Sequence, residues 1–311
     1  MALGLGIALP LIDSEKLLRW LPAYGVDPAN IFQTAGVQMA NLSIAKNSSP
    51  AQPDEGSATG TKPQDKAATA VTDSLQVKNL KIEKPYRILL VGDSFMAVAG
   101  GFGDILEQKM VGFGDTVILR KGKVSSGLSR PDYYDWNKEA ASAINTFKPN
   151  VTIIMMGTND AQSFETNING KKTVAVFGSG QWDAEYAGRA ASFARLFTDA
   201  GSIVYWIGLP AMRDATYGQK ITRLTKLQES AVNANCRAKF VPAQTLLSDN
   251  NTYEPFMPDA QGIMRATRNP DGIHLSYFGG TIFAEKFIEK LKQDLNISSP
   301  NPTSPAQTSI P

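Results

Sequence analysis

The stretch that most constrains the fold of this chain is a short apolar run that ends in a glycine and two polar residues. The run Ile88–Val91 has the composition of a strand that is buried on both faces of a parallel sheet. Gly92-Asp93-Ser94 follows it, and a helix-compatible segment covers Phe95–Met110. In open α/β sheets, ligands bind beyond the carboxyl ends of the strands, which is where this pattern predicts Ser94. A turn that caps a helix explains the same three residues equally well, so the rest of the chain has to decide.

The chain alternates between strand-like and helix-like patterns from Tyr86 to Leu295. Apolar, strand-like runs lie at Arg87–Val91, Thr116–Arg120, Val151–Met156 and Ser202–Ile207, with a weaker one at Lys239–Pro242. Helical patterns lie at about Phe102–Met110, Trp136–Phe147, Ala184–Asp199, Gln219–Ala234 and Gly280–Leu295. This alternation predicts an α/β fold, a three-layer α/β/α domain around a central, mainly parallel five-stranded sheet. Asn169-Gly170, placed before an alternating run, predicts a small β-hairpin insertion.

Charge and the rarest side chains exclude several classes of function. The net charge of +2 is too near balance to indicate binding to nucleic acid or to an anionic membrane surface. Cys236 is the only cysteine, so an intrachain disulfide and a cysteine-based metal cluster are impossible, and we expect this thiol to be a buried small hydrophobe. His274 is the only histidine, which excludes a metal site built from several histidines. A histidine base that acts near neutral pH must therefore be His274.

Composition divides the chain into four parts. Residues 1–44 form an apolar N-terminal segment with a predicted short helix, and residues 45–80 form a flexible linker rich in Pro, Gly, Ser and charge. Residues 81–296 form the folded domain, and residues 297–311 a disordered tail. The apolar start is too short to span a bilayer, so it is either the remnant of a membrane anchor or a segment that packs on the domain. With the linker, it favours a periplasmic or otherwise exported protein that is tethered to a membrane, while a cytoplasmic location is not excluded.

Three short polar segments are predicted at one edge of the sheet. They are Gly92-Asp93-Ser94, Gly157-Thr158-Asn159-Asp160 and Asp271-Gly272-Ile273-His274. The first two follow apolar strands, and the third precedes the last helix. Together they permit one specific chemistry, in which Ser94 attacks a carbonyl carbon and His274 accepts its proton. Asp271 would orient the imidazole ring, and Asn159 would donate its side-chain amide to the oxyanion beside backbone N–H groups near Ser94.

These segments resemble blocks I, III and V of the SGNH hydrolases, also called GDSL-type esterases. The resemblance covers Tyr86–Leu295 and implies a flavodoxin-like domain that needs no cofactor and no metal. It implies that Ser94 is the nucleophile and that Asp271 and His274 supply acid and base. It also implies an oxyanion hole formed by the backbone N–H groups of Ser94 and Gly127 and the side chain of Asn159. Gly127 is the candidate for the block II glycine, and its surroundings resemble a bacterial subfamily without a settled substrate.

Residues near these segments are candidates for contact with substrate: Asp93, Arg130, Asp160, Gln162, Arg213 and Arg268. The arginines could clamp an anionic or polyhydroxylated substrate, although solvated arginines and structural ion pairs explain them equally well. Tyr133, Tyr134 and Trp136 follow closely and could form a wall for stacking a sugar, but aromatic residues at this spacing are more often part of a core.

The leading hypothesis is therefore a serine esterase that forms an acyl-enzyme on Ser94. Its substrate would be an ester such as an acetylated polysaccharide or peptidoglycan, because an exported, tethered enzyme meets the cell envelope. An O-acyltransferase would use the same residues with a sugar hydroxyl as the acceptor. A non-catalytic glycan-binding module of the envelope is a third alternative. Nucleotide binding is poorly supported, since neither of the common glycine-rich phosphate-binding motifs occurs.

Overall fold

A computed structural model describes residues 82–111, 113, 115–168, 170–247 and 252–295. The predictions made for residues 1–44, 45–80 and 297–311 lie outside these ranges. No helix in the described ranges has the length and apolar character needed to cross a membrane.

The central sheet is built from strands that the sequence pattern located. The strands of the described residues are β1 (Tyr86–Gly92), β2 (Thr116–Gly122), β3 (Val151–Met155), β4 (Phe164–Ile168), β5 (Lys171–Ala175), β6 (Ile203–Ile207), β7 (Ala238–Val241), β8 (Phe256–Pro258) and β9 (Met264–Ala266). Five of them form one parallel sheet in the order β2-β1-β3-β6-β7. Once the hairpin β4–β5 is left aside, this is the flavodoxin-like order, and it confirms the predicted α/β architecture.

Helices cover both faces of this sheet. They are α1 (Ser94–Ala97), α2 (Phe102–Met110), α3 (Trp136–Phe147), α4 (Gly180–Asp199), α5 (Ala215–Asn233), α6 (Gln244–Leu247) and α7 (Tyr277–Leu295). Consecutive side chains of a strand point to opposite faces. On β6, the ring of Tyr205 lies 6.1 Å from Phe287 of α7, while the neighbouring Trp206 lies 6.2 Å from Phe193 of α4. Helices α7 and α4 therefore pack on opposite faces, which makes the three predicted layers.

Three helices, α4, α5 and α7, begin earlier than the apolar pattern indicated, and a side chain that accepts a backbone N–H precedes each of them. The side chain of Ser179 accepts a hydrogen bond from the Trp182 N–H, and α4 starts at Gly180. In the same way, Asp214 accepts from the Tyr217 N–H at the start of α5. Capped first turns carry few apolar residues, so hydrophobic periodicity alone underestimates helix length at this end.

The predicted hairpin is present, and a second hairpin was missed. Strands β4 and β5 pair antiparallel on either side of the Asn-Gly turn. Strands β8 and β9 also pair antiparallel, but each has only three residues, too few for an alternating pattern to stand out. The helix-compatible segment after β1 is interrupted, since Gly100 adopts a φ of 70° between α1 and α2. The prediction for Cys236 was wrong, because its side chain is exposed just after the end of α5.

Candidate active site

The first predicted segment places a serine at the junction of β1 and α1. Ser94 is the first residue of α1, and 8% of its surface is exposed. The carboxylate of Asp93 caps this helix by accepting a hydrogen bond of 3.0 Å from the Phe95 N–H. The serine hydroxyl therefore lies beyond the carboxyl end of a buried central strand, as the sequence predicts.

The structure brings Ser94, His274 and Asp271 into one hydrogen-bonded row. The Ser94 Oγ lies 2.7 Å from His274 Nε2, across 180 positions of sequence. On the other side of the ring, His274 Nδ1 lies 2.9 Å from Asp271 Oδ2. The ring of Phe95 packs against the imidazole, with 5.1 Å between the ring centroids. A hydroxyl, an imidazole and a carboxylate in this order form the geometry of a nucleophile, its base and the group that orients the base.

The segment that carries His274 is folded around the carboxylate of Asp271. Asp271 Oδ1 accepts hydrogen bonds from the backbone N–H groups of Ile273, at 2.6 Å, and His274, at 2.9 Å. Burial opposes the ionisation of Asp271, but these bonds and the nearby imidazole outweigh it and hold the pKa of the carboxyl below its usual value. Gly272 has a φ of 72°, a conformation that favours glycine. Asp271 thus orients the ring and also shapes the turn.

Asn159 lies against the loop that contains Gly127. Its Nδ2 donates to the carbonyl oxygen of Ser126 at 3.0 Å, and that carbonyl belongs to the peptide whose nitrogen is Gly127. The Gln162 side chain donates to the carbonyl oxygen of Asn159 at 2.5 Å. The Tyr217 hydroxyl donates to the carbonyl oxygen of Thr158 at 2.5 Å. The two candidate donors to an oxyanion are therefore neighbours, in a segment braced on both sides.

The sequence analysis missed two residues that support this site, Phe95 and Tyr217. Phe95, which supports the imidazole, is adjacent to Ser94 and could have been suspected for that reason. Tyr217 could not, because it comes from α5 and no local pattern links it to the Asn159 segment.

The prediction that Asp93 and Asp160 contact substrate was wrong, because both side chains are fully buried. Asp93 Oδ2 accepts hydrogen bonds from the backbone N–H groups of Gly157, at 3.0 Å, and Thr158, at 3.2 Å. It also accepts from the Thr158 hydroxyl at 2.7 Å. Burial raises the pKa of Asp93 in spite of these bonds. The residue before the serine therefore ties the Ser94 segment to the segment that holds Asn159.

The side chain of Asp160 connects the Asn159 segment to the loop that contains Leu128 and Ser129. Its carboxylate accepts hydrogen bonds from the N–H groups of Ser129, at 2.7 Å, and Leu128, at 3.1 Å, and from the Tyr186 hydroxyl at 2.9 Å. Burial raises the pKa of Asp160 to about 6, since these bonds offset only part of the cost of desolvation. All of its contacts are to protein groups, and none of its surface is exposed.

Arg268 is also placed differently from the prediction, because it is 5% exposed and binds backbone rather than facing solvent. One guanidinium nitrogen donates to the carbonyl oxygen of Ile273 at 3.1 Å, and another donates to that of Ala211 at 3.0 Å. The guanidinium also lies 5.3 Å from the centre of the Tyr253 ring. Burial lowers the pKa of Arg268 to about 10. The side chain joins the turn before His274 to the loop that follows β6.

We expect Arg268→Lys to destabilise the protein by about 1.5–3 kcal/mol, because one ammonium group cannot reach both carbonyls in the planar geometry of a guanidinium. The measurement is the free energy of unfolding in urea. The matched control is Arg213→Lys, since Arg213 is exposed beside the same turn. We expect the control to stay within about 0.5 kcal/mol of the native protein. Equal stability of Arg268→Lys and the native protein would contradict this role.

The other candidates for substrate contact are only partly available at the surface. Arg213 is exposed, and its side chain packs over Gly272 in the turn before His274. Arg130 makes an ion pair of 2.7 Å with Asp132, which occupies its guanidinium. The proposed aromatic wall is only partly available, because Trp136 is buried and donates its ring N–H to Ser126 while Tyr133 is 48% exposed. Within the described ranges, no three His, Cys, Asp or Glu side chains could hold a metal ion together.

Comparison with known proteins gives a family and distant structural neighbours. No curated protein matches the chain. Among solved structures, TesA is 19% identical, with 67% of this chain and 99% of that chain covered and a TM-score of 0.46. A catalytic mutant of Axe2, an acetylxylan esterase from Geobacillus stearothermophilus, is 13% identical, with coverages of 71% and 99% and a TM-score of 0.48. The psychrotrophic esterase EstA from Pseudoalteromonas sp. is 12% identical, with coverages of 67% and 98% and a TM-score of 0.44.

A family model described as "Protein of unknown function (DUF459)" matches residues 87–290, which is more than half of the chain. The match begins in β1 and ends in α7, so it spans the whole described sheet and all three segments of the candidate site. The chain therefore belongs to the family described as Protein of unknown function (DUF459).

Proposed function

We propose that this protein is a serine esterase that hydrolyses an ester bond through an acyl-enzyme on Ser94. The proposal rests on one observation, the row in which Ser94 Oγ lies 2.7 Å from His274 Nε2 and His274 Nδ1 lies 2.9 Å from Asp271 Oδ2. A helix cap or a satisfied core histidine requires no such row of three groups. The serine and the histidine are each 8% exposed, so neither is completely closed off from solvent.

In the first half of the reaction, the serine oxygen attacks the carbonyl carbon of the ester. His274 Nε2 takes the hydroxyl proton. Asp271 stabilises the imidazolium that forms, because its carboxylate accepts a hydrogen bond from the His274 Nδ1–H. The C–O bond to the alcohol then breaks, and His274 returns the proton to the departing oxygen. In the second half, water gives a proton to His274 and attacks the acyl carbon. The bond from this carbon to Ser94 Oγ then breaks, His274 returns the proton to Oγ, and the acid leaves.

The negative charge on the former carbonyl oxygen needs hydrogen-bond donors. We assign this role to the backbone N–H groups of Ser94 and Gly127 and to the side-chain amide of Asn159. The Ser94 N–H lies in the first turn of α1, where no acceptor within the helix exists. Asn159 Nδ2 donates to the Ser126 carbonyl at 3.0 Å and to the Thr158 hydroxyl oxygen at 3.4 Å. An amide group carries two hydrogens, and the longer, weaker contact is the one that an oxyanion would replace. Donors that are already in place before the reaction need no reorganisation.

The substrate proposal is a small acyl group, such as acetyl, on a glycan of the cell envelope. Its support is the apolar N-terminal stretch followed by a linker rich in Pro, Gly and Ser, which suits an exported enzyme tethered to a membrane. An acetylated polysaccharide or peptidoglycan is the class of ester that such an enzyme would meet. The near-neutral net charge of +2 gives no reason to expect a nucleic-acid partner.

Covalent labelling tests the nucleophile directly. We expect a fluorophosphonate probe to modify Ser94, with loss of fluoride, and peptide mapping to find the label on that residue alone. Ser94→Ala should remain unlabelled, while Ser142→Ala, which changes an exposed serine of α3, should still react. Undiminished labelling of Ser94→Ala would overturn the proposal. A panel of p-nitrophenyl esters of increasing chain length would then report whether a short acyl group is preferred.

The acceptor decides between hydrolysis and acyl transfer. An O-acyltransferase would use the same serine, histidine and aspartate but pass the acyl group to a sugar hydroxyl instead of water. Incubation with an acyl donor and a glycan, followed by mass analysis of both products, separates the two activities. A non-catalytic glycan-binding module would show neither product and no covalent label, and the assembled row of catalytic groups argues against it.

A further inference from the structure

The carboxylate of Asp160 lies directly beneath the loop that carries Gly127. It accepts the N–H groups of the two residues that follow this glycine, Leu128 at 3.1 Å and Ser129 at 2.7 Å. The Ser129 hydroxyl also donates to the backbone carbonyl of Asp160 at 3.1 Å. Three hydrogen bonds therefore connect one residue of the Asn159 segment to the far end of the Gly127 loop.

The approach is so close that only glycine fits at position 127. A Cβ atom built on Gly127 would lie 2.1 Å from Asp160 Oδ1 and 2.6 Å from its Cγ. Gly127 itself is buried, and a backbone requirement for glycine does not explain the residue, since its φ is not in the left-handed region. The close contact with the Asp160 carboxylate therefore explains why position 127 has no side chain.

The Gly127 peptide is held from both sides by consecutive residues. On one side, Asn159 donates to the Ser126 carbonyl at 3.0 Å, and on the other Asp160 accepts from Leu128 and Ser129. The two bonded groups bracket the peptide whose N–H is the assigned donor to the oxyanion. A shift of the Asp160 carboxylate would therefore change the orientation of that peptide.

We propose that Asp160 is a positioning residue for the oxyanion hole, which sets the direction of the Gly127 N–H by accepting the next two backbone N–H groups. The inference rests on the proposed function, because it gives the Gly127 loop a catalytic purpose. A carboxylate is a costly group to bury, and a neutral acceptor would be cheaper if the loop only needed to be closed. The charge strengthens both backbone bonds and so fixes the loop more firmly.

The kinetic test compares two variants that change the same network. In Asp160→Asn, an amide replaces one oxygen acceptor and faces N–H donors, so we expect kcat to fall by about 10²-fold with little change in KM. In Tyr186→Phe, the hydroxyl bond to Asp160 and the bond from the Gln228 side chain are lost while both loop N–H bonds to Asp160 remain, and we expect kcat to stay within about threefold of the native value. Thermal unfolding of each variant shows that the assays use folded protein.

A double-mutant cycle adds a second kinetic arm. Gly127→Ala pushes the loop away from the carboxylate, so we expect it to lower kcat as Asp160→Asn does. If both act through the same peptide, the double variant should be no slower than the slower single variant. Multiplication of the two effects would overturn the assignment, and so would a kcat loss in Tyr186→Phe equal to that in Asp160→Asn.

Amide hydrogen exchange tests the inference without any substrate. In Asp160→Asn, we expect faster exchange at the backbone N–H groups of Leu128 and Ser129, while the β3 amides remain protected as in the native protein. In Tyr186→Phe, both loop amides should stay protected. Unchanged protection in Asp160→Asn would overturn the inference even for an active esterase. Absence of esterase activity in the native protein, with the expected exchange pattern, would instead refute the proposed function and leave the loop tie in place.

Discussion

We expect His274→Ala to lower kcat by about 10⁴-fold or more, because loss of one member of a serine–histidine–aspartate unit removes most of its catalytic effect. The chain contains no second histidine to replace it. His274 is the only group within hydrogen-bond distance of Ser94 Oγ that can accept its proton in the described part of the chain. The measurement is the steady-state hydrolysis of p-nitrophenyl acetate.

Two further variants make this result specific to the base. Asp271→Asn should also reduce kcat strongly, since an amide can no longer hold the ring in the tautomer that leaves Nε2 free to accept. Tyr277→Phe serves as the neutral control, because Tyr277 follows His274 closely but is 65% exposed. Added imidazole should restore part of the activity of His274→Ala and none of that of Ser94→Ala. If His274→Ala kept a tenth of the native kcat, the mechanism would be wrong.

Gly92→Ala should destabilise the fold by about 3 kcal/mol or more, as overpacking against rigid backbone does. A Cβ atom at this position would lie 2.0 Å from the Met155 carbonyl oxygen and 2.6 Å from the Met96 side chain. Gly92 pairs with Met155, so the added atom would separate the carboxyl ends of the adjacent strands β1 and β3. The free energy of unfolding in urea is the quantity to measure.

The matched control for Gly92→Ala lies in a helix. Gly188 is within α4, and a Cβ atom built on it meets nothing within 4 Å. Gly188→Ala should therefore stabilise the protein by about 0.5–1 kcal/mol, because alanine loses less conformational freedom than glycine when a helix forms. A Gly92→Ala variant as stable as Gly188→Ala would show that the junction of β1 and α1 tolerates a side chain and that its tight geometry is not required.

Much of the sheet was predictable because its strands are apolar runs that end in polar segments. The core strands β1, β3 and β6 are buried along nearly their whole length, and such runs stand out in a sequence. The hairpin β8–β9 was not predictable, since three residues per strand leave no pattern to detect. Helix starts were misplaced by a few residues where a cap, rather than an apolar residue, begins the helix.

The candidate site was predictable for the residues that we propose carry the chemistry and not for those that support them. Serine, histidine, aspartate and asparagine are few enough in the right contexts to be recognised from their segments. The same reasoning assigned Asp93, Asp160 and Arg268 to substrate, because a charged residue beside a predicted site looks available. Each of them is used by backbone groups instead, and those groups belong to loops that are distant in sequence.

The sequence by itself determined the class of fold, the order of the polar segments and the identity of the candidate base, since a chain with one histidine offers only His274. The tertiary structure alone decided whether a charged side chain faces substrate or holds the protein together. Asp160 meets Ser129 across 31 positions, and Arg268 meets Ala211 across 57. Burial and hydrogen bonding depend on which loops come into contact when the chain folds, and a local sequence pattern does not show which loops those are.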